Sequence, residues 1–251
     1  MSAPSQAAGP ADAPDTLLGG RVRLRQPAEG YRVAIDPVLL AAAVPARPGS
    51  QVMDLGCGVG AAALCLLSRV PEAEATGWEV QEDLAALARE NGRLNGCRRQ
   101  FQVVLGDISD RRDASPGACD EVMCNPPHQP AAAPAAPDPA KARATHEGGT
   151  ALEDWIEAAL FHARPKGGIT LIHRADRLDD LLAAFRGRAG GIVVFPLWPG
   201  RDKPAKRVIL RAVKGSKVPL RLAAGLTLHR DDGTFTPEAE AVLRDGEGLS
   251  L

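Results

Sequence analysis

From residue 49 onward the chain alternates short apolar runs with longer stretches whose apolar positions recur at helical spacing. Gln51–Leu55, Glu74–Val80, Phe101–Leu105, Cys119–Cys124 and Gly168–His173 read as strands. Ala61–Leu67, Gln81–Leu94, Leu152–Ala163 and Arg177–Phe185 read as the helices between and after them. In the segment 152–163, Leu152, Trp155, Ile156, Ala159 and Leu160 fall on one helical face, which makes Trp155 a core residue rather than a ligand platform. Strand–helix alternation of this kind predicts an α/β fold with a mostly parallel sheet. The last two apolar runs, Ile192–Trp198 and Arg207–Val213, have no helix between them and are expected to close the sheet as an antiparallel pair, giving seven strands.

The connection after the first strand of this series carries Asp54-Leu55-Gly56-Cys57-Gly58-Val59-Gly60. Glycines between a strand and a helix permit positive φ and let a ligand approach the backbone closely. The helix N-terminus adds unpaired N–H groups suited to an anionic group. A tight turn without a ligand, a dinucleotide site and another nucleotide-type cofactor all remain compatible with this segment alone. Glu79 ends the second strand, where an acid can accept from both hydroxyls of a ribose. Glu82 and Asp83 are better read as first-turn acids of the following helix. Asp107 follows the third strand and could accept from an adenine amino group. The fourth strand delivers Asn125-Pro126-Pro127-His128 to the carboxyl edge of the sheet, where ligands of open α/β sheets bind.

These segments, in this order, resemble class I S-adenosylmethionine (SAM)-dependent methyltransferases whose motif is Asn-Pro-Pro followed by an aromatic residue. The stretches Gly30–Leu40, Leu171–Leu178, Pro204–Val208 and Thr236–Arg244 are similar, more narrowly, to tRNA adenine-N6 methyltransferases of the methyltransferase small domain group. The resemblance runs from Leu17 to the C-terminus. It implies a Rossmann-like class I methyltransferase fold with a seven-stranded, mostly parallel sheet, a terminal antiparallel hairpin and an N-terminal extension. It also implies SAM as cofactor, held by Asp36, Asp54, Gly56, Cys57, Gly58, Gly60, Glu79, Val80, Asp107 and Asn125, with Asp36 in a segment that closes over the methionine end. The implied target is an unpaired adenine next to the anticodon of a valine tRNA, a base that costs little to extrude.

The chemistry of an exocyclic amine accounts for the residue types at the fourth strand. Its lone pair is delocalised into the ring, so two acceptors on its N–H groups draw the nitrogen towards sp³ geometry. Asn125 Oδ1 and the Pro126 carbonyl are the candidate acceptors, stiffened by Pro126 and Pro127. The sequence departs from the family at His128, where an aromatic ring is usual. Histidine can stack on RNA bases, although its smaller ring begins to titrate near about pH 6.5. A stacking His128, a shifted target and weakened catalysis stay open.

Charge and composition refine the picture. With 30 Lys+Arg against 31 Asp+Glu there is no general polyanion-attracting field. Cations cluster locally, however, and Lys203, Lys206, Arg207, Arg211 and Lys214, together with Lys141 and Arg143, are candidate RNA contacts. Residues 1–16 are rich in Ala, Pro and Ser and are expected as a disordered tail. Residues 17–48 should form a β-hairpin and a helix, 49–215 the methyltransferase domain with a mobile Ala/Pro-rich loop over 128–147, and 216–251 an extension on the same domain. No apolar run approaches a membrane span, and five cysteines without paired metal spacing suggest no zinc site. A reduced, cytoplasmic monomer is expected. Rival functions are an rRNA guanine-N2 or protein glutamine-N5 methyltransferase, or a SAM-binding, RNA-binding protein with weakened catalysis.

Overall fold

The computed structural model describes residues 13–27, 32–110, 116–127 and 151–251. A small antiparallel hairpin, β1 (Asp15–Leu17) and β2 (Val22–Leu24), comes first, followed by α1 (Asp36–Ala43). Asp15 and Thr16 therefore belong to a strand, a correction to the expected tail. They pair with Leu24 and Arg23, and the tail's residues 1–12 lie outside the described part. Every residue of α1 after Asp36 is buried, as expected of a helix with no polar face.

The sheet is built from β3 (Gln51–Leu55), β4 (Glu74–Glu79), β5 (Phe101–Leu105), β6 (Cys119–Cys124), β7 (Ala163–Arg174), β8 (Ala189–Gly200) and β9 (Arg207–Lys214). Their helices are α2 (Ala61–Arg69), α3 (Glu82–Leu94), α4 (Leu152–His162) and α5 (Leu178–Phe185). The spatial order of these seven strands is β8-β9-β7-β6-β3-β4-β5. All are parallel except β9, which runs antiparallel to both β7 and β8.

Seven strands were expected in this sheet, and among the described residues it has nine. β10 (Arg221–Leu222) and β11 (Leu226–His229) both pair in parallel with the outer side of β8. Their few residues carry too little period to announce a strand; the exposed backbone edge of β8 recruits them. The last helix, α6 (Pro237–Leu243), is capped by Thr236, whose hydroxyl accepts the Ala239 N–H at 3.2 Å. It packs through Ala239, Val242 and Leu243 into the core face that also holds α1 and α2. The other face of the sheet is covered by α4 and α5, with Leu152, Ile156, Leu181 and Phe185 fully buried. Burying a side chain of that size stabilises the fold by about 1.5–3 kcal/mol.

Since β3, β4, β6, β7 and β8 point the same way, their carboxyl ends share one edge of the sheet. The glycine turn after β3, Glu79 at the end of β4, Asn125 after β6 and the β8–β9 connection (201–206) all lie there.

Candidate active site

The turn after β3 is fixed by its neighbour strand. The Trp78 carbonyl accepts the N–H groups of Gly56 (2.7 Å) and Cys57 (3.1 Å), and the Cys57 carbonyl accepts that of Gly60 (2.8 Å). Gly56 has φ +66°, and a Cβ there would meet the Trp155 ring at 2.5 Å. Trp155 is thus a core residue, as its helical pattern indicates, and it also supports the turn from below. Gly58 differs: φ is +55°, and a Cβ would meet nothing within 4 Å. One glycine serves packing and the other leaves room above the backbone.

Glu79 joins the ends of β3 and β4. It is 5% exposed, with Oε2 accepting the Gly58 N–H and Oε1 the Gln81 N–H, each at 2.9 Å. Each oxygen keeps lone-pair capacity for a hydroxyl donor. Val80, next in sequence, is 60% exposed despite being apolar and lies on this rim. Asp107 is exposed, and its Oδ1 accepts the N–H and hydroxyl of Ser109 at 2.8 and 2.7 Å.

Asp54 is 3% exposed at the base of the turn. Burial pushes its carboxyl up to about 7; the Ala63 N–H opposes this and the nearby Glu79 charge adds to it. Its Oδ2 has no hydrogen-bond partner among the described residues. Burial also pushes the thiols of Cys57, Cys65 and Cys124 well up, to about 12 for Cys65, so they act as small apolar groups and not as nucleophiles.

Pairing of Leu55 with Cys124 across β3 and β6 sets Gly56 and Asn125 side by side. Asn125 Oδ1 is buried and has no hydrogen-bond partner among the described residues. A buried carbonyl left without a donor is uncommon and costs stability, so the edge next to the turn presents an acceptor awaiting a donor. Pro126 is buried and Pro127 half-buried. His128, Lys141, Arg143 and the loop 128–147 lie outside the described residues.

The predicted cations divide. Arg211 makes a two-pronged pair with Glu121 (2.6 and 3.0 Å) while only 18% exposed, and Lys214 donates to the Ala163 carbonyl at 2.7 Å. Arg207 pairs with Asp36 at 3.2 Å, which joins a candidate RNA contact to a candidate cofactor residue. All three make bonds within the protein. Lys203 and Lys206, with Arg201, remain exposed on the β8–β9 connection at the site's edge.

One supporting residue is not among the sequence candidates. Asn91, fully buried on α3, donates to the carbonyls of Val59 (2.9 Å) and Arg25 (3.0 Å) and accepts the Arg25 N–H (2.7 Å). It ties the glycine turn to the segment after β2. Its signal is a polar residue on the helical face otherwise formed by Ala85, Ala88 and Gly92.

These features fit a SAM-type cofactor: an open backbone at Gly58, two buried carboxylates beneath it and an exposed apolar residue beside Glu79. Among the described residues there is no group of three His, Cys, Asp or Glu placed to hold a metal, and no helix long and apolar enough to cross a membrane.

The strand order, the reversed β9 and a glycine turn facing Asn-Pro-Pro are those of the class I methyltransferase fold. A solved structure described as a predicted O-methyltransferase, protein Atu636 from Agrobacterium tumefaciens, is similar at TM-score 0.72 and 26% identity, over 86% of this chain and 98% of that one. The model of the methyltransferase small domain matches residues 32–138. Over those residues the chain is similar to this methyltransferase family. A tRNA1(Val) (adenine(37)-N6)-methyltransferase of Aeromonas hydrophila is 29% identical over 208 residues, spanning 82% of this chain and 85% of the relative. One of the same description from Porphyromonas gingivalis is 33% identical over 157 residues, covering 60% of this chain and 61% of its own.

Proposed function

We propose that this protein transfers the methyl group of SAM to the N6 amine of an unpaired adenine beside the anticodon of a tRNA. The observation that carries the reading is the buried Asn125 Oδ1, without a hydrogen-bond partner among the described residues and set beside the glycine turn. The tRNA (adenine-N6)-methyltransferases among its relatives supply the substrate class.

The cofactor would be held by the turn backbone at Gly56, Cys57, Gly58 and Gly60, by Asp54 and Glu79, by Val80 and Asp107 on the rim, and by Asp36. When bound, SAM supplies a methyl group on a positively charged sulfur. The protein's own part is to hold the amine. Asn125 Oδ1 accepts one of its N–H groups and the Pro126 carbonyl the other, which orients the nitrogen lone pair. Proline cannot donate and has a fixed φ, so that carbonyl stays aimed. Preorganised dipoles of this kind are worth about 10²–10³ in turnover per group removed. No side chain need act as a strong base, because the proton can leave to water after transfer. His128 would stack on the base, and Lys203 and Lys206, with Lys141 and Arg143, would contact phosphates.

The similarity to a predicted O-methyltransferase raises a hydroxyl nucleophile as a second reading. A hydroxyl carries a single proton, so a pair of adjacent acceptors suits an amine better. The test is transfer from labelled SAM to unmodified tRNA, rRNA and protein, with nucleoside mass spectrometry of any labelled RNA. N6-methyladenosine in tRNA supports the proposal. Label in guanine N2, in a ribose hydroxyl or in protein overturns the substrate and leaves the SAM site standing.

A further inference from the structure

The base of the glycine turn holds two buried carboxyl groups with no cation paired to them among the described residues. Asp54 and Glu79 are 3% and 5% exposed, on neighbouring strands of the sheet. Glu79 is satisfied by the N–H groups of Gly58 and Gln81. Asp54 accepts the Ala63 N–H, and its Oδ2 has no hydrogen-bond partner among the described residues. The titratable groups facing Asp54 are Glu79 from β4, Cys57 from the turn, Cys65 from α2 and Cys124 from β6. None of them is a cation. Arg89 of α3 acts on the Cys57 thiol but is not among the groups acting on Asp54. Among the described residues, no ion pair includes Asp54.

An isolated carboxylate in such a place is costly, and the protein's alternative is to keep the proton. A cationic ligand arriving at the turn removes the reason to keep it. We infer that Asp54 is protonated in a large fraction of cofactor-free molecules and gives up its proton to solvent when a cationic cofactor binds. Loading of the methyl donor is then coupled to proton release. In balanced form, the carboxylic acid and the free cation yield a carboxylate–cation pair and one proton in water. The inference rests on the proposed use of SAM at this turn.

The direction follows from the site. With Asp54 raised to about 7 by burial, a cofactor that binds only the ionised form gains about tenfold in affinity per pH unit below that point and levels off above it. Proton release should be about 0.9 per site at pH 6, about half at pH 7 and about 0.1 at pH 8 if the bound carboxylate stays ionised throughout.

Isothermal titration calorimetry of the full chain, in buffers of different ionisation enthalpy at each pH, counts these protons directly. The probes are SAM and, as a control without positive charge, 5′-methylthioadenosine. SAM should release protons with the stated pH dependence and methylthioadenosine should release far fewer. In Asp54→Asn, SAM binding should lose both the release and the pH dependence. Should that variant fail to fold, the infrared carbonyl stretch of a protonated carboxyl in the unaltered protein should be present without SAM and vanish on its addition. SAM binding with no proton exchange, release that survives Asp54→Asn, or a carboxyl band unmoved by SAM overturns the inference alone. Absence of SAM binding at every pH removes the site reading and the inference with it.

Discussion

Replacing Asn125 by alanine should make the protein more stable and nearly inactive, and the two effects have one origin. Asn125 Oδ1 is buried without a donor among the described residues. A buried carbonyl in that position costs about 1–3 kcal/mol, part of which is offset by the packing of the amide group itself. Truncation removes both contributions and should leave a gain near 1 kcal/mol. For a chain of 251 residues that corresponds to a rise in Tm of about 2–4 °C. The same oxygen is the proposed acceptor for the target amine, so kcat should fall by about 10²–10³. KM for SAM should change far less, since the turn backbone, Asp54 and Glu79 are untouched. Differential scanning fluorimetry and single-turnover methyl transfer on tRNA read the two quantities independently. A Tm lowered by more than about 5 °C would mean that Asn125 holds the fold together, well outside the expected range. A kcat within about threefold of the unaltered enzyme would remove it from the chemistry.

Four further outcomes follow from the same geometry. Gly56→Ala places a Cβ at 2.5 Å from the Trp155 ring at φ +66°; the backbone conformation alone costs about 1–2 kcal/mol, so Tm should fall and SAM affinity with it. Arg211→Ala leaves Glu121 buried without its partner and should cost about 3–5 kcal/mol by denaturant unfolding, whereas the double change Arg211→Met, Glu121→Leu should be close to neutral and leave RNA affinity unchanged. Lys203→Ala with Lys206→Ala should reduce the slope of log affinity for RNA against log salt by about 2, with SAM affinity unaltered. Asp54 gives the pH dependence of stability. Its folded value is raised from 3.8 to about 7, so its contribution is fully present below the unfolded value and is lost as pH rises through 7, on the order of 4 kcal/mol in all. Asp54→Asn should therefore gain in Tm relative to the unaltered protein between pH 5 and 8, and a difference that ignores pH would rule this out.

The parts of the site legible in sequence are those written in backbone chemistry. Gly56, Gly58 and Gly60 mark a strand-to-helix turn because other residues resist positive φ, and Asn125-Pro126-Pro127 marks the end of a buried strand. In a mostly parallel sheet their meeting at the carboxyl edge follows from the strand direction, and the missing helix between the last two runs announces the reversal of β9. What stayed hidden depends on which face a side chain takes and what it meets there. Arg207, Arg211 and Lys214 sit in a run of cations, yet their partners Asp36, Glu121 and the Ala163 carbonyl are 171, 90 and 51 residues away. Charge clustering along the chain does not announce these internal bonds. β10 and β11 were missed because an open strand edge, not their own pattern, makes them strands. Asn91 was missed because its three hydrogen bonds reach into the glycine turn and the end of the N-terminal hairpin, which no local pattern announces.

The central claim is amine methylation of tRNA next to the anticodon, and one comparison tests it most directly. Valine tRNA is purified from a host lacking this gene and from the same host carrying it intact or as Asn125→Ala, then digested and mapped by mass spectrometry. The account predicts N6-methyladenosine at the base following the anticodon only with the intact gene. An unmodified adenine in all three samples, or the same modification with Asn125→Ala, would contradict it.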